Sequence, residues 1–218
     1  MIKKIIEELY DERTNTFYYP YTPFMEMCNY KQWIKHGYDG RRIKWAILDT
    51  GFLYYHPLLK NNIKGGVDFT GEGLDDKNGH GTMCALLLVN YAQGIQLYNV
   101  KVMDENGRGC EDDLLSGLKW CEDNKINSIN ISLGIPRKEK CNDEKCQICK
   151  RIKMMVTKLN TKIYVSAGNE KNTIFCPACS DYVFSIGALN DKLEGIADYS
   201  ANADFYAPGA VYLRRYDK

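Results

Sequence analysis

Three side chains in this sequence have the types and the spacing needed for acid–base chemistry at a carbonyl group. Asp49 ends an apolar run, His80 lies between two glycines, and Asn169 closes a Ser-Ala-Gly-Asn tetrapeptide. A carboxylate can hold a histidine in one tautomer and stabilise its charged form, so that the histidine acts as a base. An asparagine amide can donate a hydrogen bond to a developing oxyanion. The set predicts an orienting acid, a general base and an oxyanion donor.

The backbone around His80 carries two further expectations. The segment from His80 to Asn90 has helical spacing of its apolar residues, so the positive end of the helix dipole should favour the neutral imidazole that a base requires. Gly79 and Gly81 are expected to let the backbone approach the histidine closely.

A peptide-binding edge is predicted beside these groups. Ser132-Leu133-Gly134 continues an apolar strand and offers an edge to which an extended chain can add by backbone hydrogen bonds. Gly168 would leave space for a scissile carbonyl. An extended polypeptide is therefore the expected substrate.

These residues must be positioned by elements that alternate along the chain. Apolar strand patterns alternate with helical ones, which predicts an α/β fold of three layers, with a mainly parallel sheet flanked by helices. In such sheets functional groups collect beyond the carboxyl ends of the strands. The predicted strands are 43–48, 96–103, 126–133, 162–167 and 182–188, the predicted helices are 80–90, 111–124 and 147–159, and 65–79 is predicted as a loop.

Four motifs in this order resemble the subtilisin-like serine proteases, or subtilases. The stretches 45–60, 100–104, 129–134 and 206–209 extend the resemblance over most of the chain. The four motifs are Asp49-Thr50-Gly51, Gly79-His80-Gly81-Thr82, Ser132-Leu133-Gly134 and Ser166-Ala167-Gly168-Asn169.

The resemblance implies a role for each motif. Asp49 would be the triad acid, His80 the general base and Asn169 the oxyanion-hole residue. Ser132, Leu133, Gly134 and Gly168 would line the substrate cleft. It also implies a subtilisin-like peptidase domain over 33–218, incomplete at its C-terminus and lacking its C-terminal elements, with an N-terminal lead-in at 1–32.

The nucleophile that the resemblance implies is missing from the sequence. Subtilases carry it in a Gly-Thr-Ser motif that opens a helix after the Ala-Pro-Gly motif, and no serine follows Gly209. Loss of such a serine lowers turnover by about 10⁶. Two explanations stay open: a serine endopeptidase whose serine and helix come from downstream sequence or from a second chain, and a catalytically inactive relative that binds peptides or proteins.

Nine cysteines form the second set of candidate functional residues. Cys146 and Cys149 make one CxxC unit and Cys176 and Cys179 another, with Cys141 as a candidate fifth member. Two such units suit a tetrahedral structural zinc, which would pin the loops bordering the cleft. Disulfides, unligated loop thiols and a redox role are the alternatives.

Composition restricts the partners. The net charge of +1, with 29 basic and 28 acidic residues interspersed, excludes the electrostatic signature of a nucleic-acid or membrane-surface protein. Acidic residues interrupt the N-terminal apolar stretch, so a cytoplasmic location is expected. The segment between His80 and Val100 is short in comparison with the calcium-binding insertion that the resemblance to secreted subtilisins implies, and it carries no acidic cluster. No calcium is therefore expected there.

Overall fold

A computed structural model of the chain describes residues 5–216. Two compact units are present: unit 1 runs up to Asp113 and resumes at Val211, and unit 2 spans Leu114–Ala210. The helices are α1 (Ile6–Leu9), α2 (Pro23–Met27), α3 (Tyr30–Lys35), α4 (His80–Tyr91), α5 (Glu111–Asp123) and α6 (Gln147–Leu159). The strands are β1 (Tyr10–Asp11), β2 (Thr16–Tyr21), β3 (Lys44–Asp49), β4 (Ile63–Asp68), β5 (Gln96–Lys101), β6 (Ser128–Ile131), β7 (Ile135–Arg137), β8 (Lys162–Ser166), β9 (Ile174–Cys176), β10 (Phe184–Leu189), β11 (Phe205–Pro208) and β12 (Tyr212–Arg215).

Unit 1 contains three parallel strands in the order β3-β5-β4. The run Ala46 to Leu48 is buried, as expected for a parallel strand that is covered on both faces. The register pairs Asp49 with Lys101, so the last residue of β3 lies at the carboxyl end of the sheet. This strand therefore delivers Asp49 to the edge where functional groups collect.

Apolar packing between helix and strand holds α4 in unit 1. Leu86 and Val89 of α4 share a buried cluster with Ile47 of β3 and Leu97 of β5. Leu9 of the N-terminal segment is fully buried in the same cluster. β1 and β2 of the N-terminal segment form a further three-stranded sheet with β12, in the order β1-β2-β12. In this sheet β2 and β12 are antiparallel.

The predicted domain ranges 1–32 and 33–218 stay a prediction. Their outer ends, residues 1–4 and 217–218, lie outside the described residues.

Unit 2 contains four parallel strands in the order β11-β10-β8-β6. Side chains alternate between the two faces of a strand. Ile163 and Val165 of β8 are buried, whereas Tyr164 between them is half-buried. Phe184 of β10, directly opposite Tyr164, is exposed. One face of this sheet is thus covered and the other carries accessible aromatic rings.

A short antiparallel pair, β7 with β9, follows two of the predicted cleft motifs. β7 begins directly after Gly134, and β9 lies a few residues after Asn169. The register places Ile135 opposite Cys176 and Pro136 opposite Phe175.

The predicted α/β class, with a mainly parallel sheet flanked by helices, is confirmed. The helix predicted at 147–159 has those bounds, and the other two helices agree within a residue. The loop predicted at 65–79 is wrong at its start, because β4 extends to Asp68. Gly65 and Gly66 have no side chains, so they interrupt the apolar pattern that would have indicated a strand. Within residues 5–216, no helix has the length and apolarity required to cross a membrane.

Candidate active site and cysteine cluster

Asp49 and His80 form a direct hydrogen bond in unit 1. His80 Nδ1 lies 2.7 Å from Asp49 Oδ1, and the aspartate side chain is only 1% exposed. The backbone N–H of Thr50 donates to the same carboxylate oxygen over 2.7 Å. Because an ionised carboxylate only accepts, Nδ1 carries the proton and Nε2 is the nitrogen left for a substrate.

The charge of Asp49 determines the protonation of His80. Burial lowers the pKa of His80, but the hydrogen bond and charge of Asp49, with the charge of Asp76, outweigh it and raise the pKa above its usual 6.5. The expectation that the helix N-terminus would favour the neutral imidazole is therefore wrong for the net shift. An ionised carboxylate at hydrogen-bond distance acts more strongly than the partial charge of a helix end.

Asp76 is a buried anchor that the sequence did not single out. Its Oδ1 accepts hydrogen bonds from Thr50 Oγ1 at 2.9 Å and from the backbone N–H groups of Asn78 and Gly79 at 3.0 and 2.8 Å. Its Oδ2 accepts from the N–H and the hydroxyl of Thr82 at 2.9 and 2.6 Å. One carboxylate thus joins the loop after β3 to the first turn of α4, which fixes where His80 begins that helix. The only sequence signal was an acidic residue a few positions before the helix.

The glycine after His80 is required by a close backbone approach. A Cβ at Gly81 would lie 2.4 Å from the carbonyl oxygen of Gly51, which is two residues after Asp49 in the chain. Gly79 on the other side has a φ of 104°, in the region that favours glycine. The expected close approach is confirmed at Gly81, and at Gly79 it stays a prediction.

Cys84 also lies beside this pair. Its sulfur, a carboxylate oxygen of Asp49 and a ring nitrogen of His80 all lie within 4.8 Å of one another. The spacing of four residues along α4 explains why the cysteine and the histidine share a face.

In unit 2 the remaining predicted site residues follow strand ends. Asn169 is exposed after β8, and Ser132 follows β6, where its Oγ accepts a hydrogen bond from Asn130 Nδ2 at 2.8 Å. Gly168 has a φ of 111°. Leu133 is half-buried beside Ser132.

Phe175 lies where a side chain at Gly168 would be, in the space that this glycine was expected to leave open. A Cβ at Gly168 would lie 2.2 Å from Phe175 Cδ2, and one at Gly134 would lie 3.0 Å from Phe175 Cδ1. The ring is therefore packed against both cleft glycines. No spacing rule for acid–base residues would have indicated a phenylalanine at this place.

Three of the four predicted zinc ligands, together with the candidate fifth member Cys141, are brought together in unit 2. The sulfurs of Cys141, Cys146, Cys149 and Cys176 lie within 4.8 Å of one another. Cys146 and Cys149 lie 3.8 and 3.9 Å from Cys176. Cys179, the fourth predicted ligand, is not a member of this set, and hydrogen bonds from the thiols of Cys149 and Cys176 lower its pKa. None of the nine cysteines forms a disulfide.

A carboxylate-oriented histidine at the carboxyl end of a parallel sheet has the acid–base arrangement that is typical of hydrolase triads. The model of the Subtilase family matches residues 40–216, and the chain belongs to that family. It is 30% identical to Subtilisin DY of Bacillus licheniformis and 32% identical to Subtilisin BL of Lederbergia lenta, over 83% and 79% of this chain. It is 28% identical to the Thermophilic serine proteinase of Bacillus sp. (strain AK1) over 89% of this chain.

These alignments cover 69%, 66% and 51% of the relatives. The chain thus spans between half and about two thirds of their length.

Proposed function

We propose that this chain supplies the acid, the base and the oxyanion donor of a subtilisin-like serine endopeptidase. The observation that carries the proposal is the 2.7 Å hydrogen bond between buried Asp49 and His80 Nδ1. Membership of the subtilase family supports serine protease chemistry.

In each half of the proposed reaction, His80 accepts one proton and then donates it. Nε2 accepts the proton of a serine hydroxyl while the serine oxygen attacks the scissile carbonyl, and Asp49 stabilises the imidazolium that forms. Asn169 donates to the oxyanion. His80 then protonates the leaving amine as the C–N bond breaks. Water then attacks the resulting acyl-serine ester while His80 accepts a proton from it, and His80 returns that proton to the serine oxygen as the ester bond breaks and the carboxylic acid leaves. Ser132 to Gly134 hold the extended substrate.

We place the serine on a segment outside these 218 residues, either downstream or on a second chain. The sequence contains no Gly-Thr-Ser tripeptide. In unit 2 the rings of Phe184 and Phe205 lie 5.9 Å apart and are 37% and 54% exposed. They line an open groove of about 760 Å³ that a helix could cover. Neighbouring exposed aromatic rings of this kind often mark a surface that a partner segment covers.

The proposal includes a cytoplasmic location, a polypeptide substrate, and no nucleic-acid or membrane partner. The free cysteines support a reducing compartment. The balanced charge supports the absence of a polyanionic partner.

A fluorophosphonate probe, which labels activated serines, tests the proposal. The 218-residue chain, the same chain extended by its downstream reading frame, and the extended chain with His80→Ala are each treated with the probe and with a fluorogenic peptide. We expect labelling and hydrolysis only in the extended chain or in a complex with a second chain that supplies the serine, with the His80→Ala variant slower by about 10⁶. Tight peptide binding by an extended chain that is never labelled would favour the non-catalytic alternative.

A further inference from the structure

The spacing of the clustered sulfurs in unit 2 matches one particular kind of centre. A zinc–sulfur bond of about 2.3 Å in tetrahedral geometry places two thiolates about 3.8 Å apart. The sulfurs of Cys146 and Cys149 lie 3.8 and 3.9 Å from the sulfur of Cys176. A disulfide would require about 2.05 Å. Iron–sulfur clusters distribute their thiolates over several irons, which does not place four sulfurs around one point.

Local structure explains how two of the sulfurs are delivered. Cys146 is the N-cap of α6 and Cys149 lies in its first turn. This spacing turns both sulfurs to the same side, and the positive end of the helix stabilises thiolate charge.

We propose that Cys141, Cys146, Cys149 and Cys176 bind one structural Zn²⁺ as four thiolates. Two helix-start cysteines, one loop cysteine and one strand cysteine thereby share a single ion. Cys141 is the fourth ligand because its sulfur belongs to the set that lies mutually within 4.8 Å. Cys179 remains a neighbouring thiol.

The ion would fix the strand pair that borders the predicted cleft. Cys176 is the last residue of β9 and pairs with Ile135, the first residue of β7. Its neighbour Phe175 is the ring packed against Gly134 and Gly168. A metal bond at Cys176 therefore limits how far Phe175 can move from the glycines. The assignment of these glycines to a substrate cleft rests on the proposed function, whereas the metal site does not.

Metal analysis of the untagged 218-residue chain, purified under reducing conditions, tests the site directly. We expect about one zinc per chain, consistent with a closed four-thiolate site. Cys146→Ser and Cys176→Ser should each lower the zinc content at least fivefold. Cys28→Ser, which removes an exposed thiol, is the matched control and should keep the metal. Wild-type protein that contains iron instead of zinc would overturn the proposal. So would wild-type protein that contains no metal and whose measured mass is lower by the hydrogens lost when disulfides form.

Cobalt substitution in the wild-type chain reports the ligand geometry directly, without requiring that any variant folds. Co²⁺ added to metal-stripped wild-type chain should give intense red absorption bands and a near-ultraviolet thiolate band, as tetrahedral sulfur ligation requires. Weak octahedral bands would contradict the site. Cys141→Ser should weaken the thiolate band whereas Cys179→Ser should leave it unchanged, and the reverse result would overturn the proposed ligand set.

Hydrogen exchange tests the effect of the ion on the β7–β9 pair. Removal of zinc should raise amide exchange at least tenfold in β7 and β9, with α4 unchanged. This measurement requires no peptidase activity, so zinc-dependent protection in the 218-residue chain, together with an extended chain that the fluorophosphonate probe never labels, would count against the proposed function alone. Unchanged exchange in β7 and β9 after zinc loss would refute the role assigned to the ion.

Discussion

At the scale of single residues, the acid–base pair depends on a competition between burial and charge. His80 is partly removed from water, which by itself would make it a weaker base. Asp49 reverses the direction because its charge and its hydrogen bond both favour the imidazolium. Since the pKa of His80 is raised above 6.5, the stability that this pair contributes is complete below pH 6.5. It is lost as the pH rises through the raised pKa.

The first prediction concerns that pKa. In Asp49→Asn the carboxylate charge is gone but the burial of His80 remains, so the pKa of His80 should fall to 6.5 or below. A proton NMR titration of the His80 ring measures both midpoints without requiring catalysis. An unchanged midpoint in the variant would show that Asp49 does not control the base.

At the scale of elements, the start of α4 depends on Asp76, which accepts five hydrogen bonds from the loop and the first turn. In Asp76→Asn one of the two oxygens becomes an NH₂ group. In either orientation of the amide, backbone N–H donors would face another donor. Charged hydrogen bonds of this kind are worth roughly 2 kcal/mol each, and a buried mismatch costs a similar amount.

The second prediction is that Asp76→Asn lowers the free energy of unfolding by about 2 kcal/mol or more. It should also lower the pKa of His80, because the charge of Asp76 contributes to raising it. Asp75→Asn is the matched control, since that side chain is exposed next to Asp76. Urea unfolding monitored by circular dichroism gives the comparison. Equal stability of the two variants would contradict the anchoring role.

Some of the helices and strands could be predicted from the sequence and others could not. The run 44–49 is nearly continuous in apolar residues and 147–159 has apolar residues at helical spacing, so their structure follows from local rules. The Asp49–His80 contact was also predictable, because both residues occupy ends of regular elements. Phe175 and Asp76 were not, since their partners come from other segments and neither is marked by spacing. β4 was missed because its glycines carry no pattern.

At the scale of the whole molecule, the pH dependence of stability is governed in part by a histidine that the chemistry does not use. His56 is fully buried in unit 1. Its Nε2 donates to the carbonyl of Tyr18 at 3.0 Å, and the N–H of Leu58 donates to its Nδ1 at 3.3 Å. Both nitrogens are thus satisfied only in the neutral ring. Burial lowers the pKa of His56 to about 4, against which the bond to Tyr18 acts weakly.

The third prediction is a loss of stability in mild acid. Between pH 6.5 and about 4 the unfolded chain binds a proton at His56 that the folded chain does not bind. The free energy of unfolding must therefore fall as the pH falls through this window, by about 3 kcal/mol. Urea unfolding at pH 7, 6, 5 and 4 measures the slope. His56→Gln should flatten it even if that variant is less stable at pH 7, whereas the wild-type slope should persist in His36→Gln, because the side chain of His36 is exposed. A slope that survives in His56→Gln would assign the acid sensitivity to other groups.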